Sequence, residues 1–357
     1  MESKLKSTVK EVLGTVIMLA LALLVGAVLV VISGNSPMEA YSTMLRGAFG
    51  SAQKICELFV ELIPILLMAF GISVAFRAQL WNIGATGQFT IGAIAAAAVA
   101  LYIPVPSGIA IPLSMIAAVV AAAFWAALAG WLKNRFNANE VITTLMLNYI
   151  ANCFLLYLVN GPMQDPETDL SQSALVPVGM MLTRLFGDYR LHSGIFIMLI
   201  VTVIMFFFWK TNFGYRINLI GQGEKVATYA GVNVKRTTVM TMMLSGALIG
   251  LAGWIQIFGI QYRILSGIAG SYGDIATIVA LLGALNPYGI IAAGVFFAAL
   301  RCGGNSMQRM TDVPFSVVDV IEGLIIIFVI AKTIVNNKTL GLRDKFRRKQ
   351  GGKAHVE

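Results

Sequence analysis

The sequence has little charge, few histidines and few cysteines. Only 12% of its 357 residues are charged, against roughly a quarter in soluble domains. This excludes an ordinary soluble domain and is typical of a membrane protein. Cys56, Cys153, Cys302, His192 and His355 each stand without a C-x-x-C pair or a nearby ligand. We therefore expect the cysteines to be apolar packing residues, and we expect no metal site.

The sequence also lacks a phosphate-binding loop. A Walker motif reads G-x-x-x-x-G-K-[ST], so that backbone amides and the lysine hold the phosphates. Gly352-Lys353 is the only Gly-Lys pair, and Ala354 follows it. The chain is therefore expected to be no enzyme and to bind no cofactor. ATP that powers it must be hydrolysed by another polypeptide.

Long uncharged apolar runs fill most of the chain. A bilayer core of about 30 Å requires about 20 apolar residues per helix, and runs without alternation exclude a barrel. The sequence predicts an all-α, polytopic transmembrane helical bundle with about ten spans. The first is an uncleaved helix, because its apolar part is too long for a signal peptide. The approximate spans are 12–32, 58–76, 83–103, 109–132, 141–160, 191–209, 237–260, 268–285, 288–301 and 315–335.

Lysine and arginine are distributed unevenly between the predicted loops. With the N-terminus inside, most of them fall on the cytoplasmic side, including the tail "RDKFRRKQGGK". Positive residues are retained in the cytoplasm, so both termini are predicted to be cytoplasmic in a cell membrane. The tail is expected to contact anionic lipid headgroups, with nucleic acid as the alternative. The outer side keeps Arg46, Lys54, Arg184, Arg190, Arg263, Arg301 and Arg309.

Two parts of the chain resemble each other. "NIGATGQFTIGAIAAAAVAL" (82–101) and "GIAGSYGDIATIVALLGAL" (267–285) are each followed by a break, a small-residue helix and an apolar helix. They would start on opposite sides of the membrane, which predicts inverted repeats over about 58–160 and 237–335. The alternative is similarity by composition alone. The predicted organisation is one transmembrane domain (1–335), with a cytoplasmic loop (210–236) and a basic tail (336–357).

The cytoplasmic loop contains an unusually polar stretch, "GQGEKVATYAGVNVKRT" (221–237). A two-turn helix over 224–230 would be amphipathic, with Gly231 as its stop. So short a helix is unstable alone and is expected to pack against something. A connector lying on the headgroups is the alternative. The two faces are Val226, Ala227 and Ala230 on one side and Glu224, Lys225, Thr228 and Tyr229 on the other.

Polar residues inside predicted spans are candidates for a solute pathway, because unsatisfied polar groups are costly in lipid. Asn82, Gln88, Asn148 and Asp274 are the predicted pathway residues. Positions 144, 148 and 152 form a polar stripe, for which a hydrogen-bonded seam between helices is the more common explanation. In the last span, Asp319 and Glu322 lie on one helix face. A proton-coupled carrier would use such a pair, although both acids lie near the predicted membrane boundary.

Several motifs resemble the permease subunits of bacterial ABC importers for branched-chain amino acids, simple sugars and nucleosides. "IGQGEKVATYAGVNVKRT" is similar to their coupling-helix pattern, G-x-N-x-x-A-A-x-x-x-G-[IV]. "LWNIGATGQFTIGA" and "ALLGALNPYGIIAAGVFFAAL" are similar to two other family segments. The block at 139–149, within "NANEVITTLMLNYIA", points to the nucleoside branch. Gly221, Ala227, Gly231 and Val232 match the coupling pattern, while Gly223 and Thr228 depart from it.

The resemblance implies an ATP-driven importer of a nucleoside or related simple sugar. Its partners would be ATPase subunits that bind ATP-Mg, a second and unlike permease, and an extracytoplasmic lipoprotein receptor docking near 38–57 and 161–190. A proton-coupled carrier and a passive channel remain alternatives. Lys235 and Arg236 would also lie at the ATPase interface. The implied coupling residues are Glu224, Lys225, Ala227, Tyr229, Ala230 and Gly231.

Overall fold

The computed structural model describes residues 17, 20–311, 313–314, 316–321, 323–325 and 327. These residues form helices and irregular segments, and among them no extended strand occurs. The helices are α1 (Ala20–Ile32), α2 (Pro37–Phe49), α3 (Ala52–Arg77), α4 (Ala85–Tyr102), α5 (Ser107–Phe136), α6 (Glu140–Val159), α7 (Gly194–Phe208), α8 (Asn212–Gln222), α9 (Glu224–Tyr229), α10 (Val234–Ile255), α11 (Tyr272–Leu282) and α12 (Pro287–Met310).

The chain is a helical, multi-pass membrane protein. Within the described ranges, α3, α4, α5, α6, α10 and α12 are each long and apolar enough to cross a bilayer. Two bent pairs would also suffice if each formed one span: α1 with α2, bent by 118°, and α7 with α8, bent by 66°. The extension of α10 is a π-helix over Gln256–Gln261.

Residues 48–302 form one compact unit, and the segments on either side of them form a second. In the first unit α3 is the most buried of the long spans, whereas α6 is mostly exposed. An exposed apolar helix is expected to face lipid. In the second unit α2 packs on the end of α12, where a Cβ on Gly303 would lie 2.5 Å from the carbonyl oxygen of Met44.

Small residues allow α10 to approach its neighbours closely. A Cβ on Gly250 would lie 2.4 Å from the Cβ of Ala122 and 2.6 Å from the carbonyl oxygen of Ala118, both on α5. On another face of α10, a Cβ on Gly253 would lie 2.4 Å from the carbonyl oxygen of Phe89 on α4. In membranes such contacts drive helix association, because lipid supplies no hydrophobic force between apolar helices.

Contacts along α10 and α3 fix the helix directions. Gly71 of α3 lies against Ser245 of α10, while Val60 packs in the same cluster as Ile260, so α3 and α10 are antiparallel. Gly130 lies against Met242 whereas the contact of Gly250 falls earlier on α5, which makes α5 antiparallel to α10. α3 and α5 are therefore parallel to each other. Because a short connection joins α4 to α5, α4 runs antiparallel to both.

Some of the helices differ from the predicted spans. α2 and α8 lie between predicted spans, where no helix was predicted, and Pro37 occupies the first turn of α2, where proline is favoured. The span predicted over 268–285 contains only the 11 residues of α11. Gly267 and Gly270 have φ of 72° and 45°, so the chain before α11 is irregular. α12 runs to Met310 instead of ending near 301.

Some predictions fall on residues outside the described ranges. Part of the first span, Glu322, His355 and the basic tail over 336–357 belong to this group. In the last predicted span, residues 316–321, 323–325 and 327 are helical, and Asp319 is exposed.

Candidate functional site

A buried amide pair holds the non-helical segment between α3 and α4. Asn82 Nδ2 donates to Gln88 Oε1 at 3.1 Å and to Ser245 Oγ of α10 at 2.9 Å. Asn82 Oδ1 accepts from Gln88 Nε2 at 2.9 Å and from the backbone N–H of Gly84 at 3.0 Å. Both donors and both acceptor positions of the Asn82 amide are therefore used. Ser245 lies roughly 16 Å along α10, so this pair is deep in the bundle.

Two side chains of α6 complete the same network. Asn148 Oδ1 accepts from the backbone N–H of Gly87 at 2.7 Å, and Asn148 Nδ2 donates to the carbonyl oxygen of Ile83 at 2.8 Å. Thr144 Oγ1 accepts from the backbone N–H of Ile83 at 3.2 Å. The first N–H groups of a helix have no partner within it. The hydrogen-bonded seam is therefore present at Thr144 and Asn148, and the Asn148 bond to Gly87 caps α4.

The starts of α4 and α11 meet inside the bundle. A Cβ on Gly273 would lie 3.0 Å from the backbone nitrogen of Thr86, so only glycine permits this approach. The rings of Phe89 and Tyr272 stack beside it, 6.3 Å apart. Tyr272 contacts Glu61 near the beginning of α3, and Leu285 contacts Arg77 at its end. These contacts make α11 parallel to α3, whereas α4 is antiparallel to α3. α4 and α11 therefore run in opposite directions from the point where they start.

Asp274 lies apart from the amide network, on the exposed side of α11. It follows Gly273 directly and belongs to the first turn of α11. An acid there is also favourable for the helix dipole, whatever its other role. Of the four predicted pathway residues, the structure therefore brings Asn82, Gln88 and Asn148 together, and Asp274 is the exposed one.

The loop between α7 and α10 contains the predicted short helix. α9 covers Glu224–Tyr229 and so differs by one residue from the expectation of 224–230. Gly223 has a φ of 142° and Gly231 a φ of 75°, so both helix boundaries use backbone conformations that favour glycine. The N–H of Val232 donates to the carbonyl oxygen of Ala227 at 2.9 Å and closes the C-terminal turn.

Burial on α9 follows the predicted faces only in part. Ala227 is fully buried, as expected for the packed side. Val226 and Ala230, predicted to share that side, are exposed together with Glu224 and Lys225. Ala227 is thus the buried position of α9, and the rest of the predicted apolar side is exposed. Tyr229 is 93% exposed, which leaves most of the α9 surface available to a partner.

Comparison with known proteins identifies the family. Residues 55–330 match the model of the family described as "Branched-chain amino acid transport system / permease component". The chain belongs to this permease family. The matched range includes all the motifs that resemble the family. The protein is therefore a membrane-spanning permease subunit of an ABC importer, and not a catalytic subunit.

Three similar permeases each match this one at 33% identity. The glucose ABC transporter permease protein TsgB13 of Haloferax volcanii aligns over 92% of this permease and 90% of its own length. For the guanosine ABC transporter permease protein NupP of Bacillus subtilis the shares are 88% and 91%. For the nucleoside ABC transporter permease protein NupB of Lactococcus lactis they are 91% and 92%. Each of these organisms contains a second, less similar ABC permease relative.

The permease also contains an ion-pair cluster that sequence reasoning did not assemble. Tyr272 Oη donates to Glu61 Oε2 at 2.9 Å, and Arg301 Nε lies 3.5 Å from the same oxygen. A guanidinium nitrogen of Arg301 also donates to Ser271 Oγ at 2.6 Å. The cluster links α3, α11 and α12. Glu61, an isolated acid inside an apolar span, was the signal that could have indicated it.

Proposed function

We propose that the protein imports a nucleoside or a related simple sugar. The observation that carries this proposal is the 33% identity, over about nine-tenths of both chains, to permeases named for guanosine, nucleosides and glucose. The 139–149 block supports the nucleoside branch and has a structural role here. Asn139 caps α6 by accepting from the N–H groups of Val141 and Ile142, and Asn148 caps α4.

The proposed complex contains this permease, a second and unlike permease, two cytoplasmic ATPase subunits and an extracytoplasmic binding lipoprotein. The presence of two permease relatives in each of three organisms supports the unlike pair. ATP-Mg is held by the ATPase subunits and no cofactor by this chain. The receptor docks on segments near 38–57 and 161–190, and the complex lies in the bacterial plasma membrane.

The proposed topology has ten membrane segments and both termini in the cytoplasm. The excess of lysine and arginine on one side supports this orientation. α11 is roughly 16 Å long, so it crosses about half of the hydrocarbon core, and the irregular chain before it completes the passage. The permease domain covers 1–335, with inverted halves over about 58–160 and 237–335. The opposite directions of α4 and α11 support the inversion.

α9 is the proposed contact with the ATPase. Exposure of Glu224, Lys225 and Tyr229 supports this role, and exposed tyrosines frequently anchor protein interfaces. Ala227 fixes the helix to the bundle, while Ala230 and Gly231 keep its end small enough for close approach. ATPase movement would be transmitted through α9, and the two halves would rock about a central path.

The proposed solute path passes the point where α4 and α11 start. Asn82, Gln88 and Asn148 position the start of α4, and exposed Asp274 is the residue of the set available to a solute. Broken helices that meet within a bundle are a recurring feature of transporter binding sites. Asp274→Ala is expected to change the transport rate or solute preference. Asp319→Ala is the matched control, and a loss of transport in that variant would instead support a proton-coupled carrier.

Reconstitution tests the function directly. The complex is purified from its native membrane and placed in liposomes, and uptake of labelled guanosine is measured with and without ATP and with competing nucleosides or sugars. ATP-dependent guanosine uptake that nucleosides compete with is expected. Uptake by this chain without ATPase subunits would refute the proposal.

The coupling contact is tested in the same liposomes. One variant is Tyr229→Ala, and a second reverses the charges of Glu224 and Lys225. Both are expected to hydrolyse ATP without a matching uptake of solute. Tyr157→Ala is the matched control, because Tyr157 is also exposed but lies on α6. If both α9 variants import as much solute per ATP hydrolysed as Tyr157→Ala does, α9 is not the contact with the ATPase.

A further inference from the structure

Arg77 joins separate segments at one end of the bundle. It is the last residue of α3, and its guanidinium carbon lies 3.8 Å from the ring centroid of Trp209, between α7 and α8. Arg77 Nε donates to the carbonyl oxygen of Leu285 at 3.0 Å, in the turn between α11 and α12. One side chain therefore makes directional contacts with the α7–α8 corner and with the α11–α12 turn.

α8 packs directly on the backbone of the same residue. A Cβ on Gly221 would lie only 2.0 Å from the carbonyl oxygen of Arg77, so the two backbones touch. Gly221 lies in the last turn of α8, and Gly223 alone separates α8 from α9. Because the contact at Gly221 leaves no space, a displacement of α8 toward the end of α3 must move Arg77 as well.

The α11–α12 turn depends on its neighbours for its shape. Ala284 and Leu285 have φ of 50° and 57°, which is unfavourable for residues with a Cβ. Such conformations persist when surrounding contacts hold them. One of these contacts is the bond from Arg77, and another is the close packing of Gly283 against Gly289. The turn is therefore sensitive to the position of the Arg77 guanidinium.

We propose that Arg77 is the joint that transmits displacement of α8 and α9 to the α11–α12 hairpin. This inference rests on the proposed function, because it requires an ATPase to move α9. Arginine suits the role, since its planar group stacks on the indole of Trp209 while Nε points in a fixed direction at the Leu285 carbonyl. Arg77 acts as a positioning residue, and the α11–α12 hairpin that it holds includes Asp274.

Reconstituted complexes containing Arg77→Met or Arg77→Lys test this joint. Solute imported per ATP hydrolysed is measured together with basal hydrolysis and assembly. Both variants are expected to assemble and hydrolyse ATP, but to import at least about fivefold less solute per ATP, which is the lower range for coupling between sites. Lys133→Met is the matched control: Lys133 is another cation in a last helical turn, paired with Glu140 at 2.9 Å. Its ratio is expected to stay near that of the unmodified protein.

The possible outcomes separate this inference from the proposed function. If the unmodified complex couples ATP to uptake and Arg77→Met has the same ratio, the joint is refuted and the importer stands. The joint is also refuted if Arg77→Met lowers the melting temperature but leaves the solute imported per ATP hydrolysed unchanged. If the unmodified complex shows no ATP-driven uptake, the proposed function fails first. If Arg77→Met does not assemble, Trp209→Leu is tested instead, because it removes the stacking on Arg77 and leaves the bond to Leu285. An unchanged amount of solute imported per ATP in that variant refutes the joint.

Discussion

Acidification is expected to destabilise the fold through His192. This residue lies just before α7 and is fully buried, enclosed by Gly194 and Gly259. Its Nδ1 accepts from the backbone N–H of Gly194 at 3.2 Å, which places the proton of the neutral ring on Nε2. Burial, and then the charge of Arg190, lowers the pKa of His192 to about 4. The folded structure therefore holds this ring in its neutral form.

The direction and size of the effect follow from this pKa. In the unfolded chain the pKa of histidine is about 6.5, so the unfolded state binds the proton first as the pH falls. The contribution of neutral His192 is complete above about pH 6.5, decreases between about pH 6.5 and 4, and is fully lost below. A pKa difference of about 2.5 units corresponds to about 3 kcal/mol of unfolding free energy.

The matched variant is His192→Asn, whose Oδ1 can accept the same N–H but cannot titrate. Denaturant unfolding of the purified chain in detergent micelles is measured across this pH range. The unmodified chain is expected to lose about 3 kcal/mol more than the variant as the pH falls to about 4. Parallel pH profiles for the two proteins would show that His192 is not held neutral by its surroundings.

Two further predictions concern packing and the amide network. Asn82→Leu leaves the buried Gln88 amide without its partner and is expected to lower the unfolding free energy by roughly 1–3 kcal/mol; an unchanged melting temperature would contradict the network. Gly250→Leu drives a side chain into Ala122 and Ala118 of α5 and is expected to cost at least about 1–3 kcal/mol. Size-exclusion chromatography and thermal unfolding check this, and a stable, monodisperse variant would contradict the close α5–α10 contact.

Local sequence features predicted the long spans well, because a bilayer-length apolar run has few alternatives to a helix. The span expected over 109–132 becomes α5, which continues to Phe136. Its extension has local causes: Lys133 and Arg135 are favourable at a helix C-terminus, and Asn137 ends the helix with a φ of 53°. The short α9 was also predictable, since glycines bound it on both sides.

Contacts between spans could not be predicted in the same way. The bond from Arg77 to Leu285 joins positions 208 residues apart, and that from Asn82 to Ser245 joins positions 163 apart. Apolar periodicity places a residue on a helix but does not identify its partner. α11 was overestimated for a related reason: the apolar segment before it is long enough for a helix, yet its glycines adopt left-handed conformations.

The hydrogen bonds of the polar residues determine which of them can contact a solute. A group whose donors and acceptors are already used can bind a solute only by breaking protein bonds, and the Asn82 amide is used in this way. Asn148 donates one bond and accepts one, both of them to the backbone around the start of α4. Within the described part of the chain, buried Gln256 Oε1, in the π-helical extension of α10, has no hydrogen-bond partner. Exposed Asp274 likewise lies outside the network. Altered transport in an Asn82 variant would therefore support a solute contact only if its unfolding free energy were unchanged. Altered transport in an Asp274 variant could not result from disruption of the amide network, because Asp274 lies outside it.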